Sequence, residues 1–223
     1  MLVLALDTAT PAVTAGVVQV GPDTVVTRSV RVTHDARKHG ELLLPGALAA
    51  CAEAGTALRE VEAIVVGTGP GPFTGLRVGM VTAAALGDGL GVPVHGVCSL
   101  DAIAAEAVVA AGPVGPLLVV TDARRREVYC AAYDADGRRT DGPHVGAPAA
   151  LAEQHTSAVV AAGAAAGALD LPVVPPASPS PGGLVACVVE ALRSGTRPGP
   201  LVPLYLRRPD AVAPGQRKRV TTP

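Results

Sequence analysis

The 223-residue sequence predicts an α/β protein of two related lobes, each a mixed sheet covered by helices, the second lobe reduced. Three observations carry this. The first 100 residues alternate short apolar runs with helical patterns in the order β-β-β-α-β-α-β-α. A strand–turn–strand pattern restarts at Gly115. Aromatic residues make up only 2% of the chain and Trp is absent, so the core must be aliphatic, built from Ala, Val and Leu. Three antiparallel strands followed by α/β crossovers point to a mixed sheet.

Residues 2–6 are an apolar run typical of a buried strand. After the Asp7–Pro11 turn, strands follow at 13–20 and 24–32, with Gly21-Pro22-Asp23 as the hairpin turn. A helix covers much of 39–54 and starts or bends at Pro45. A strand at 63–66 leads into a loop of alternating Gly and Pro and a helix over 74–90. Another strand spans 93–97, and Ser99 caps a helix reaching Ala111. In the second half, strands at 117–121 and 128–133 flank the charged turn 122–127. Beyond Asp134 the pattern weakens to short strands at 158–161 and 173–174, an irregular connector at 172–183 and a helix over 184–193. The expected division is 1–100 as a first lobe carrying partner-docking helices, 101–206 as a second, reduced lobe, and 207–223 as a basic tail expected to be disordered.

Composition removes several function classes. A formal net charge of −1 supplies no global field to gather nucleic acid. So few aromatic rings argue against a base-stacking platform. Cys51, Cys98, Cys130 and Cys187 lie far apart among apolar neighbours, which predicts buried, reduced thiols rather than a zinc or dithiol site. The N-terminal apolar stretch has no basic flank and ends at Asp7, and no uncharged run is long enough to span a bilayer. A cytoplasmic location without membrane attachment is expected.

The Gly67–Gly79 segment imitates a phosphate loop without its chemistry. Pro70 and Pro72 each remove an N–H, no Lys is near, and the glycine spacing matches neither common phosphate motif. The reading adopted is a stiff turn that orients the helix behind it. That helix is apolar nearly all round, with Leu76, Gly79, Met80, Ala83, Leu86 and Gly87 on one face and Val78, Val81 and Ala85 on the other. The 39–54 helix carries a similar face of Leu43, Leu44, Ala47, Leu48, Ala50 and Cys51. One explanation is a pair of central core helices. The other, adopted as the expectation, is a partner-binding patch made of those twelve residues.

No catalytic set stands out. Asp7, Thr8 and Thr10 at the first strand end are vestigial cofactor-binding candidates, with a turn that satisfies its own N–H groups as the plainer account. His34 and His39 diverge by about 140° on a helix, a poor metal pair. Arg124–Arg126 at a hairpin tip could meet phosphate, with a solvated turn as the plainer account. No catalytic residue, metal site or cofactor is expected.

Leu4-Ala-Leu-Asp-Thr-Ala-Thr10, His39-Gly-Glu-Leu-Leu-Leu-Pro45, Gly67-Thr-Gly-Pro-Gly-Pro-Phe-Thr-Gly-Leu-Arg-Val-Gly79, Ser99-Leu100, Asp122-Ala-Arg…Glu127-Val-Tyr129 and Pro203-Leu-Tyr-Leu-Arg207 occur in this order. Together they resemble the TsaB (YeaZ) family, subunits of the bacterial tRNA threonylcarbamoyladenosine machinery. The stretch from about 135 to 200 carries little of the match. The resemblance implies a two-lobed actin-like, sugar-kinase-like (ASKHA) fold. It also implies a non-catalytic subunit that pairs with and activates the catalytic paralogue TsaD through the 39–54 and 74–90 helices. The ATPase TsaE joins that assembly, tRNA is met only through the complex, and a homodimer forms when the chain is alone. The His-x-x-x-His metal pair of catalytic relatives is absent, and Ala9 stands where actin-like ATPases usually have glycine. Two rivals remain open: a stand-alone nucleotide-dependent phosphotransferase using Asp7, and a direct tRNA binder using Arg207–Arg219.

Overall fold

The central strand β1 (Leu2–Asp7) is buried on both faces, with Val3 and Ala5 on one side and Leu4 and Leu6 on the other. A strand covered twice needs this unbroken apolar run. The computed structural model describes residues 1–35, 38–111 and 115–207. Within it, β1 pairs antiparallel with β2 (Ala12–Val20), and β2 pairs antiparallel with β3 (Val25–His34). On its other side β1 is parallel to β4 (Ala63–Gly67), which is parallel to β5 (Val94–Val97), so the sheet order is β3-β2-β1-β4-β5.

Helices α1 (His39–Glu53) and α2 (Phe73–Leu90) cover one sheet face, burying Leu43, Ala47, Cys51 and Ala83 against Leu4, Leu6, Val13 and Ile64. Pro45 neither starts nor ends α1, which runs through it. Helix α3 (Ser99–Ala111) lies between the lobes, with Ala102 packed toward the first sheet and Leu100, Ile103, Ala104 and Ala107 toward the second.

The second sheet, order β8-β7-β6-β9, repeats the first. Strands β6 (Leu117–Asp122) and β7 (Val128–Tyr133) are antiparallel, β8 (Arg139–Gly146) is antiparallel to β7, and β9 (Val160–Ala162) is parallel to β6. A single parallel bridge, Ala161 to Val173, stands where a fifth strand would lie. Helix α4 (Pro148–Gln154) occupies the connection that α1 occupies in the first lobe.

The 184–193 helix of the sequence reading is two short helices, α5 (Pro181–Ala186) and α6 (Val189–Ser194). Leu184, Val185 and Leu192 pack on the first sheet, not the second, although the sequence division had placed 101–206 in the second lobe. Cys187 is exposed, whereas Cys51, Cys98 and Cys130 are buried. Apart from Arg207, the basic tail lies outside the described residues.

Candidate functional site

The end of β1 and the Gly/Pro loop interlock. Asp7 is fully buried. Its Oδ1 accepts the Ala9 N–H at 2.9 Å, and its Oδ2 accepts the Ser99 hydroxyl at 2.5 Å. Ser99 Oγ also accepts the Gly69 N–H at 3.3 Å, so this hydroxyl ties the β1 end to the loop. That employment differs from the helix cap expected of it. Burial pushes the Asp7 carboxyl up to about 6; the Ser99 and Ala9 hydrogen bonds and the His39 charge pull the other way without cancelling it. Thr8 donates to the Gly75 carbonyl at 2.7 Å, and the Thr10 hydroxyl accepts the Ala12 N–H at 3.2 Å. The three vestigial candidates are therefore all engaged within the chain.

The loop's glycines exist for close approach. A Cβ on Gly67 would overlap the Asp7 carboxylate, one on Gly71 the Ala9 carbonyl, and one on Gly79 the Thr8 hydroxyl. On Gly75 it would lie 2.6 Å from the Thr8 carbonyl oxygen. Spaced four apart, these positions form a groove into which the 7–9 turn presses. Pro72 takes the N-cap position and α2 begins at Phe73, as a stiff foot requires. Gly71→Ala sets a side chain against backbone, which moves only at a cost. It is expected to destabilise the chain by about 2–3 kcal/mol, lowering Tm by about 5–10 °C. A calorimetric Tm unchanged from wild type contradicts this packing.

The partner-binding list changes most. Leu43, Ala47, Ala50, Cys51, Leu76, Met80 and Ala83 are buried in the chain's own core. Gly79 is buried against Thr8, and Gly87 packs on Val94. Those nine positions are filled from within the chain. Leu44, Leu48 and the half-buried Leu86 remain from the list. The accessible apolar face is made of Leu44 at 41% and Leu48 at 47% exposure, from the expected face of α1, and Val81 at 65%, from the second face of α2, with Pro45 and Ala85 beside them. The helical wheel contained this second face, but nothing in it marked which one the sheet would cover.

A cleft of about 790 Å3 opens between the lobes, lined by Thr10, His39, Thr74, Arg124, Tyr129 and Tyr205 among others. Asp7 is not among its lining residues. His39 Nε2 lies 3.0 Å from the Thr10 carbonyl oxygen. The segment 201–207 straps the two lobes together. The Leu204 N–H donates to the Thr68 carbonyl at 2.8 Å. Tyr205 stacks on Phe73 at 4.8 Å and accepts from Arg77 Nε at 3.0 Å, while Arg77 sits 3.7 Å over the Phe73 ring. Arg207 donates to the Ala123 carbonyl at 2.8 Å and pairs with Glu127. The motifs Gly67–Gly79, Asp122–Tyr129 and Pro203–Arg207 each contribute residues to this cluster, but nothing in the sequence says that they meet.

The β6–β7 hairpin tip is unusual. Arg124, Arg125 and Arg126 have φ of 61°, 54° and 61°. L residues avoid this region, at a cost of about 1–2 kcal/mol each. Among the described residues, no group of three His, Cys, Asp or Glu side chains is placed to hold a metal, and no helix is long and apolar enough to cross a membrane.

Two lobes of repeated topology around a central helix, with a cleft between them, define a protein of the two-lobed actin-like, sugar-kinase-like class. YeaZ from Pseudomonas aeruginosa superposes with a TM-score of 0.73 at 25% identity, covering 92% of this chain and 99% of that one. A family model described as TsaD, tRNA N6-adenosine threonylcarbamoyltransferase, matches residues 32–178. An uncharacterized protein of Mycobacterium tuberculosis is 55% identical, covering 94% of this chain and 93% of its own length. The tRNA threonylcarbamoyladenosine biosynthesis protein TsaB of Escherichia coli is 35% identical over 61% of this chain and 56% of its own length. Its namesake in Bacillus subtilis is 32% identical over 60% and 55%. The chain belongs to the family that this model describes, and within it to the TsaB (YeaZ) group.

Proposed function

We propose that this chain is a scaffold subunit in tRNA threonylcarbamoyladenosine biosynthesis, without a reaction centre of its own, that pairs with and activates the catalytic paralogue TsaD. The observation that carries this reading is the exposed apolar face of two adjacent helices, with Leu44, Leu48 and Val81 turned outward. The engaged Asp7 supports the second half of it. A phosphotransferase needs a carboxylate open to magnesium and phosphate, and this one is closed off by Ser99, Ala9 and Gly67. In the proposed assembly TsaE joins through the complex, tRNA is met only there, and the isolated chain pairs with itself through the same helices in the cytoplasm.

Size-exclusion chromatography of the full chain mixed with TsaD tests the reading. Co-elution in a single peak is expected, with the homodimer peak depleted. Separate elution at micromolar concentrations overturns it. ATP turnover by the isolated chain that disappears in Asp7→Ala would instead establish the phosphotransferase.

A further inference from the structure

We propose that the Arg124–Arg126 hairpin is an RNA-backbone grip: an exposed arginine tip beside the inter-lobe cleft, with Arg124 lining the cleft, whose Arg124 and Arg126 guanidiniums meet phosphodiester groups of a tRNA bound by the assembled complex. This rests on the pairing with TsaD proposed above and assigns the chain its own contact within that assembly.

The charge is placed for it. Arg124, Arg125 and Arg126 are all exposed, and Arg124 lines the cleft mouth with His39 and Arg207. Among the described residues, Arg124 and Arg126 have no acidic partner for their guanidiniums. Glu127 pairs with Arg207, and Asp122 Oδ1 accepts the Arg124 backbone N–H at 2.9 Å. Arg207 also donates to the Ala123 carbonyl, bracing the hairpin base from the far end of the chain. The next residue in sequence is another arginine, Arg208.

The backbone supports the same conclusion. Three successive positive φ values suit Gly, Asn or Asp, whose strain there is small. Arginine at all three positions is a poor choice for making the turn and a good one for presenting guanidiniums. Strain of this kind persists where the side chains are used. Guanidiniums match phosphate oxygens in bidentate geometry, and a phosphodiester contact needs no stacking aromatic.

The test uses fluorescence-labelled tRNA with the TsaD pair and with the isolated full chain, titrated across salt. Two triple variants are compared with wild type, Arg→Gln and Arg→Gly at 124, 125 and 126. Both are expected to bind tRNA about tenfold or more weaker at low salt, and to lower the slope of log affinity against log salt by about 2. The glycine variant should also melt higher than wild type, since it relieves the left-handed backbone, so weaker binding there does not come from misfolding. Co-elution with TsaD should be unchanged in both. Wild-type affinity and slope in either variant overturn the proposal. Loss of TsaD co-elution overturns it too, because the arginines would then meet acidic groups of the protein partner. If wild type does not pair with TsaD at all, the same comparison on the isolated chain at low salt decides the matter on its own.

Discussion

Asp7→Asn is expected to stabilise the chain at neutral pH by up to about 3 kcal/mol, raising Tm by up to about 10 °C. The figure follows from a carboxyl moved from 3.8 to about 6 by burial. In the folded chain the ionised form is held without water, and its two hydrogen bonds do not repay the loss. The folded state therefore takes up a proton below about 6, while the unfolded state waits until about 3.8. Between those values this group makes the chain more stable as pH falls, and above about 6 its contribution no longer varies. Asparagine carries no charge, so that slope disappears and the variant's advantage fades by about pH 4. The amide keeps the geometry: its carbonyl accepts the Ala9 N–H, and its NH2 donates to Ser99 Oγ. Asp7→Ala, by contrast, leaves a void beside Gly67 and should destabilise at every pH. Chemical denaturation of the three proteins across this range measures the effect. An Asn variant less stable than wild type at neutral pH, with its pH slope intact, would show that Asp7 is not held as described.

Much of this architecture is legible in local pattern, for identifiable reasons. Strand β1 is an unbroken apolar run because both its faces are covered, and the Leu76–Met80–Ala83 side of α2 is apolar because it is buried in the chain's own core. The restart at Gly115 correctly signals a second lobe, and the repeated strand order makes it a reduced copy of the first. Strand β8 escapes because its sequence, Arg-Thr-Asp-Gly-Pro-His-Val-Gly, lies on a sheet edge and buries little, so no alternation is imposed on it. The site is harder to read than the fold. Arg77 and Tyr205 meet across 128 residues of sequence, and Ser99 reaches Asp7 across 92. Which face of α2 turns inward depends on Thr8, which presses on Gly75 and Gly79; the wheel shows two apolar faces and no preference between them.

That choice of face gives the most decisive expected result for the docking proposal. Leu48→Glu combined with Val81→Glu should abolish co-elution with TsaD, weakening the pair by at least about 100-fold, with Tm within about 3 °C of wild type. Both side chains are largely solvated in the free chain, at 47% and 65% exposure, so a carboxylate there costs the monomer little. Inside an apolar interface the same carboxylates lose water without a partner, a penalty of about 2–5 kcal/mol in comparable truncations of buried pairs. Ala47→Glu and Ala83→Glu are the informative contrast. Both alanines are fully buried between the helices and the sheet, so a charge there is forced into the core and the chain should fail to fold. Circular dichroism separates the two cases directly. A double outward variant that stays folded and still co-elutes with TsaD would place the partner elsewhere and remove the α1–α2 face from consideration. A folded Ala83→Glu protein that fails to pair would return the docking surface to the inner face, which requires α2 to turn away from the sheet.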